Sequence, residues 1–328
     1  MSMRKIAIVA GGDSSEYEVS LKSARGLNSF IDHQKYQVWI VILHGQCWEA
    51  CPEGLDSQVR VPVDRNDFSF EWNGDKTVFD LAWITIHGTP GENGLLQGYF
   101  DLIGLPYQCC NVLAAALTFD KYTCNHYLGA FGIRTARSIL LKRPEDFDKQ
   151  QILHTCGMPC FVKSNVGGSS FGTTKVKEAG QLKEAVEIAF REGPEVIVES
   201  FLDGTEVTSG CYKTRERSVC LPLTEVVSHN EFFDYAAKYN GQVEEITPAR
   251  IPDAVRDEIQ ATTSRIYDLI GCRGIIRADY IICRDGIYLL EVNTTPGMTA
   301  TSFIPQQVRA NGQDMGQVMD EIISDILN

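Results

Sequence analysis

The chain has no hydrophobic stretch approaching the ~18 apolar residues that cross a bilayer, and the apolar run in its opening MSMRKIAIVAGG is far too short for the core of a secretory signal. A cytoplasmic protein with no membrane partner is expected. Positive charge is also scarce. The 30 Lys and Arg stand against 43 Asp and Glu, a formal net charge of −13, which disfavours a general affinity for nucleic acid or anionic surfaces because both need surplus cations. There is no internal repeat or low-complexity tract, so fibrous and disordered classes are set aside. Cysteine is present, with 11 residues, yet none falls in a CxxC pair or at His/Cys zinc spacing, even with Cys109 and Cys110 adjacent. An odd number in apolar settings such as PCFVK, SGCY and IICR is expected of reduced thiols in the core.

What is present is an ordinary globular composition, 44% hydrophobic and 22% charged, on 328 residues, a length that points to two or three subdomains. Strand-like and helix-like segments alternate at the start: KIAIVA, a helix from about Glu16, YQVWIVIL, then FDLAWITI followed by GLLQGYFDLIG. That alternation predicts a parallel sheet flanked by helices over residues 1–110, an α/β unit. A second unit, 111–203, carries helices around LAAALTFDKYTCNHYLGAFG, the strands PCFVK and TTKVK about the turn VGGSSFG, the helix AGQLKEAVEIAFREG and the strand EVIVESF. The third, 204–328, holds long strands (TEVTSGCYK, SVCLPLTEVV, GIIRADYIIC, GIYLLEVN), a polar loop from about Ser228 to Glu245, and two helices. Its mix is α+β.

Three stretches invite chemistry. In YLLEVN, Glu291 and Asn293 lie two apart and project to one face as the strand ends. If this strand pairs with RADYIIC through the turn RDG, Asp279 comes opposite that end. Two carboxylates and an amide are hard oxygen donors suited to Mg²⁺, although an exposed face of solvated acids reads the same way. Arg277, on the face of Asp279, favours the metal reading, because a cation beside metal-binding acids is what phosphoryl transfer needs. The turn KSNVGGSSFG fails the Walker pattern; its backbone N–H groups, Ser169, Ser170 and Lys163 suit phosphate, although a plain hairpin turn is the commoner role of such a stretch. AGGDSSE lacks the full GxGxxG, which leaves a dinucleotide oxidoreductase without its fingerprint, and Glu16 there would complement a helix dipole. EFFDYAAKY, 231–239, reads either as a lid over a ligand or as a loop anchored by its aromatics. His87 stands beyond a strand's carboxyl end, where α/β sheets bind ligands, though a turn role is the commoner fate.

In order and wording, nine stretches together resemble the D-alanine–D-alanine ligase family of the ATP-grasp superfamily: GGDSSEYEVSL, HGTPGENGLLQG with LPYQ, FDK, VKSNVGGSSFG, VIVESFLDGTE, EFFDYAAKY, GCRGIIRADY and EVNTTPGMTATSFIP. The resemblance spans the chain and implies an ATP-grasp fold with an N-terminal parallel-sheet domain, a central lid domain and a C-terminal domain. It implies ATP-dependent joining of two D-alanines through a D-alanyl phosphate, for peptidoglycan synthesis, by a homodimer. Lys121 and Lys163 would meet phosphate oxygens under a flap of Gly168, Ser169 and Ser170. Glu199 and Leu202 would border the adenine, Glu206 the ribose, and Lys238 would join the nucleotide site. Asp279, Glu291 and Asn293 would hold two Mg²⁺ ions, with Mn²⁺ a possible substitute. Glu16 would bind the first ammonium near His87, and Ser302 the second carboxylate. Arg277 and the Gly297 N–H would face the oxyanion, and Ser169, Tyr239 and Glu16 would form a positioning set. Tyr239 stands where relatives using D-lactate typically carry Phe, which favours the dipeptide. Ser164, Cys124 and Asp13 depart from the family pattern. A ligase with D-lactate or D-serine as acceptor, and a non-catalytic nucleotide-binding module, are the alternatives.

Overall fold

A computed structural model describes residues 3–168, 172–228 and 243–328. KIAIVA forms the middle of β1 (Arg4–Gly11), whose apolar residues from Ile6 to Ala10 are fully buried. A strand covered on both faces reads as a continuous apolar run rather than an alternating one. α1 (Tyr17–Phe30) and β2 (Tyr36–His44) follow, then β3 (Cys47–Cys51), β4 (Val61–Pro62), a small hairpin of β5 (Phe70–Trp72) and β6 (Asp75–Thr77), β7 (Leu81–Ile84), α2 (Leu95–Ile103) and β8 (Tyr107–Gln108). The sheet runs β4-β3-β2-β1-β7-β8. β2, β1, β7 and β8 are parallel neighbours, as the alternation predicts. β3 and β4 extend the edge in antiparallel fashion, which the sequence reading missed. A two-residue turn makes the reversal, with Gly45 at a left-handed φ of 53°.

α3 (Val112–Phe119) and α4 (Lys121–Gly129) lead into β9 (Ser138–Leu141), α5 (Lys149–Thr155), β10 (Cys160–Ser164), β11 (Thr174–Val176), α6 (Leu182–Glu192) and β12 (Val196–Ser200). The strands pair antiparallel in the order β11-β10-β12-β9. α6 buries Leu182, Ala185, Val186 and Ala189, one helical face, against Cys160, Val162 and Val198. Alternation then turns Phe161 and Lys163 to the sheet's other side.

The third sheet comprises β13 (Gly204–Lys213), β14 (Ser218–Cys220), β15 (Thr224–Ser228), β16 (Val243–Ile246), β17 (Ile275–Cys283) and β18 (Gly286–Asn293), with α7 (Asp253–Ile270) before β17. Its order is β16-β15-β13-β17-β18, β14 also pairing with β13. SVCLPLTEVV is two strands rather than the single one expected, because Pro222 has no N–H to continue the ladder. The described residues of the last third hold three helices, not two. α8 (Phe303–Ala310) stops before Gly312, whose φ is 71°. α9 (Met315–Leu327) then restarts with Asp314 Oδ1 accepting from the Gly316 N–H at 2.9 Å. α9 packs Met315, Val318, Met319, Ile322 and Ile323 into the cluster that holds Ile6, Ile8, Ala24 and Leu27. The end of the chain thus closes over its beginning. Among the described residues no helix is long and apolar enough to cross a membrane. All 11 cysteines are unpaired thiols, and Cys47 is exposed rather than in the core as expected.

Candidate active site

The β17–β18 hairpin forms through the short turn after Cys283, and Asp279 sits directly opposite Glu291 with Arg277 opposite Asn293. A register shift after Asp279, where Leu290 is the extra residue, bends the ladder beside these acids. Arg277 grips Asp279 in a two-pronged ion pair, Nε and Nη2 each donating to one carboxylate oxygen at 2.8 Å. The Asn293 amide lies 3.1 Å from Asp279 and 3.4 Å from Glu291. Lys121 Nζ stands 3.9 Å from Glu291 Oε2. Burial opposes the charge of Glu291, yet Lys121, Lys163 and Arg277 outweigh it and hold its carboxyl below the usual glutamate value. Arg277, penalised by burial, is held more basic than usual by Asp279 and Glu291.

No group of three or more His, Cys, Asp or Glu gathers as a metal cluster among the described residues. The donor set is two carboxylates and an amide, without sulfur or imidazole. This fits a hard divalent cation that completes its shell with oxygens from a bound ligand. Asp279 Oδ1 retains an acceptor site beside its bond from Arg277, and a half-turn of the Asn293 amide would free a second on Oδ2 while offering the amide oxygen.

A cavity of about 920 Å³ runs from these acids between the second and third sheets. Its lining includes Lys121, Lys163, Gly168, Glu199, Leu202 and Glu206. Phe161 pairs with Glu199 across β10 and β12, which brings Lys163 and Glu199 to one face. Lys163 Nζ donates to Glu199 Oε2 at 2.6 Å, and Asn125 Nδ2 lies 3.3 Å from Oε1. Burial works against the Lys163 ammonium, but Glu199 and Glu291 hold its pKa above the usual lysine value. Lys121 opens α4 under the Asp120 N-cap, whose Oδ1 accepts from the Thr123 N–H at 2.8 Å, and its Nζ donates to the Gly167 carbonyl at 2.5 Å.

A second cavity, of about 440 Å³, adjoins the first and shares Glu16, Lys121, Arg277 and Glu291 with it. His87, Gly297 and Ser302 line it as well. Glu16 is buried at the start of α1, and a Cβ on Gly168 would collide with its carboxylate. Its side chain makes no cap bond to the helix, so the simple dipole account of Glu16 does not exhaust its placement. His87 is also buried, its Nε2 lying 3.3 Å from Ser23 Oγ. Ser302 Oγ accepts from the Thr299 N–H at 3.0 Å.

Three residues of this pocket escaped the sequence reading. Ser23 touches His87 and accepts from the Met298 N–H at 3.3 Å, so it ties α1 to the loop after β18. The signal was available: Ser23 stands seven residues, two helical turns, beyond Glu16. Glu92 accepts from the Gly88 N–H at 2.7 Å and faces Thr295. Burial first, and the Glu16 carboxylate second, push its pKa up to about 7. An acid inside HGTPGENG, past a strand's carboxyl end, was the available clue. Thr295 bonds the Ile86 carbonyl at 3.2 Å and braces the same loop.

Ser169, Ser170, Lys238, Tyr239 and the EFFDYAAKY stretch lie outside the described residues. Each unusual residue has a local role. Ser164 Oγ donates to the Val166 carbonyl at 2.6 Å, and Asp13 Oδ1 accepts from the Gly45 N–H at 2.6 Å. Cys124 is buried within α4.

Two antiparallel sheets with a large cavity between them, two lysines within it and paired acids at its end define an ATP-grasp enzyme. Comparison with known proteins narrows the class. The family described as "D-ala D-ala ligase N-terminus" matches residues 5–110, and "D-ala D-ala ligase C-terminus" matches residues 128–324. A D-alanine--D-alanine ligase of Bacteroides fragilis is 60% identical over 321 residues, covering 98% of each chain. One from Phocaeicola vulgatus is 58% identical over 322 residues, again covering 98% of each. Among solved structures, the VanG D-Ala:D-Ser ligase of Enterococcus faecalis aligns with a TM-score of 0.87 at 32% identity, covering 98% of this chain and 99% of that one. The D-alanyl-alanine synthetase A of Vibrio cholerae aligns with a TM-score of 0.89 at 27% identity, covering 100% and 99%. The chain belongs to the D-alanine–D-alanine ligase family.

Proposed function

We propose that the larger cavity takes ATP, that the smaller takes two molecules of D-alanine, and that the phosphoryl group transfers at their junction. Family membership makes the chain an ADP-forming carboxylate–amine ligase that joins two D-alanines for peptidoglycan synthesis, using ATP and a divalent metal. One observation supports the division of labour best: a nucleotide-sized and an amino-acid-sized cavity share Arg277, Glu291, Lys121 and Glu16.

In the first step the carboxylate of one D-alanine attacks the γ-phosphorus of ATP, giving an acyl phosphate and ADP. In the second, the amine of the other D-alanine attacks that carbonyl, and phosphate leaves as the peptide bond forms. Activation is needed because a carboxylate does not react directly with an amine near neutral pH. Lys121 and Lys163 offset charge on the phosphates, beneath a flap of Gly168, Ser169 and Ser170 with Lys238 nearby. Glu199 and Leu202 border the base, and Glu206 binds the ribose. Glu16 and His87 receive the first ammonium, and Ser302 the second carboxylate. Arg277 and the Gly297 N–H face the tetrahedral oxyanion. Ser169 and Tyr239 work with Glu16 to position the flap. Asp279, Glu291 and Asn293 would hold two Mg²⁺ ions, replaceable by Mn²⁺, and the bound metal would supply neutralisation of phosphate charge. The chain works in three units, 1–110, 111–203 and 204–328, as a cytoplasmic homodimer.

The test is ADP release with ATP, Mg²⁺ and either D-alanine or L-alanine, then with D-lactate or D-serine as acceptor, reading product mass. D-alanine-dependent release with dipeptide as the product is expected. Equal release with L-alanine, or a depsipeptide as the main product, would overturn the reading.

A further inference from the structure

On the face of β13 turned away from the nucleotide cavity, Cys211 stands directly opposite Cys220 of β14. Their sulfurs lie 3.6 Å apart. The Leu221 N–H donates to the Gly210 carbonyl at 2.8 Å, and the Thr214 N–H to the Arg217 carbonyl at 2.9 Å. Hydrogen-bonded pairs alternate along an antiparallel ladder, so Cys211 and Cys220 form a non-hydrogen-bonded pair between those two. Such a pair holds its Cα atoms ~4.5 Å apart, at the short end of the ~4.4–6.8 Å range a disulfide spans. Little more than a rotation of each side chain brings the sulfurs together. Access is unequal: Cys211 is fully buried and Cys220 partly exposed beside α7, where its sulfur lies 3.3 Å from the Gln260 carbonyl.

We propose that Cys211 and Cys220 are a dithiol that closes reversibly into a cross-strand disulfide on meeting a hydroperoxide, with Cys220 attacking and Cys211 resolving. With hydrogen peroxide, Cys220 sulfur attacks one oxygen, the O–O bond breaks, and the other oxygen leaves as water with the thiol proton; an organic hydroperoxide releases its alcohol instead. Cys220 is then a sulfenic acid. Cys211 sulfur attacks it, the S–O bond breaks, and the oxygen leaves as a second water carrying the Cys211 proton. Two thiols are oxidised and one peroxide is reduced. The hydrogen bond shared with Cys211 holds the Cys220 thiol below the ordinary value against its burial, and Lys213 adds to that. Cys110 and Cys272 also share a hydrogen bond, but both are buried, whereas Cys220 is partly exposed. The closure spares Cys220 from irreversible oxidation.

The experiment treats the full-length protein with hydrogen peroxide, blocks remaining thiols with an alkylating agent, and maps peptides by mass spectrometry, with exposed Cys47 as the internal gauge of oxidation. The expected result is loss of two hydrogens with a peptide cross-linked between positions 211 and 220, restored by dithiothreitol. In Cys211→Ser, Cys220 should instead gain two oxygens and resist dithiothreitol. Should that variant not fold, Cys220→Ser at the partly exposed position carries the test: no cross-link forms and Cys211 stays alkylatable after denaturation. Peroxide that oxidises Cys47 while both cysteines remain alkylatable, sulfinic Cys220 in the unsubstituted protein, or a cross-link between Cys110 and Cys272 would each overturn the proposal.

Discussion

The two cavities meet at Arg277 and Glu291, yet they are built by different means. The larger is walled by strands: β10, β12, β13, β17 and β18 contribute Lys163, Glu199, Glu206, Asp279 and Glu291. Their presentation follows from alternation along each strand and register between neighbours. The smaller is assembled from segment ends: the start of α1, the loop after β7 and the loop after β18 supply Glu16, His87, Glu92, Gly297 and Ser302. Hydrogen bonds from α1 at Ser23 and between the two loops at Thr295 hold it together. A strand-built wall places charge by local geometry, whereas a loop-built pocket depends on contacts made only after the chain has folded.

Arg277 belongs to both cavities, and its substitution is the severest test of the distinction. Arg277→Met should lower ADP release by roughly 10³-fold and cost about 3–5 kcal/mol of stability, because Asp279 is left buried without its partner. An unchanged rate and denaturant midpoint would show that the junction is not where the two sites meet.

Glu92 probes the loop-built side through pH. Its folded pKa of about 7 lies above the ordinary 4.5, so the folded state holds a proton that the unfolded state releases. That contribution is complete below the ordinary value and is lost as pH rises through about 7, an effect of ~3 kcal/mol. Urea midpoints of the unsubstituted protein should fall across this window relative to Glu92→Gln, which does not titrate. Parallel curves for the two would remove Glu92 from the account.

Lys163→Met should act on the strand-built side alone. Loss of a charge-assisted hydrogen bond, ~1.5–3 kcal/mol, predicts a KM for ATP raised about 10- to 100-fold with the KM for D-alanine unchanged; equal shifts in both would blur the comparison. Ser23→Ala is the converse and the smallest effect. Removing a neutral hydrogen bond worth ~1 kcal/mol should raise the KM for D-alanine about fivefold and leave that for ATP alone. A shift in the ATP constant instead would place Ser23 in the wrong cavity.

The strand-built elements were the more legible. Glu291 and Asn293 project together because alternation needs no tertiary information, and the turn after Cys283 made the hairpin with Asp279 readable. The resemblance to known ligases supplied Glu16 and Ser302, which no periodicity marks. Ser23 and Glu92 were not found, since a serine on a helix and an acid in a Gly-rich loop are common surface residues until their neighbours are known. The division of SVCLPLTEVV had its sign in Pro222, which was overlooked, whereas the separate α8 and α9 turned on Gly312 taking a left-handed conformation.

By itself the sequence determined which side chains share a strand face, where the chain turns, and the family to which the molecule belongs, because these depend on residues close together or on wording preserved along the chain. Only the tertiary structure decided that Arg277 would neutralise Asp279, that Lys163 would meet Glu199, that Glu92 would lie beside Glu16 deep enough to hold its proton, and that α9 would return to cover β1. Those outcomes rest on desolvation and packing between distant segments, and neither has a value until the segments are brought together.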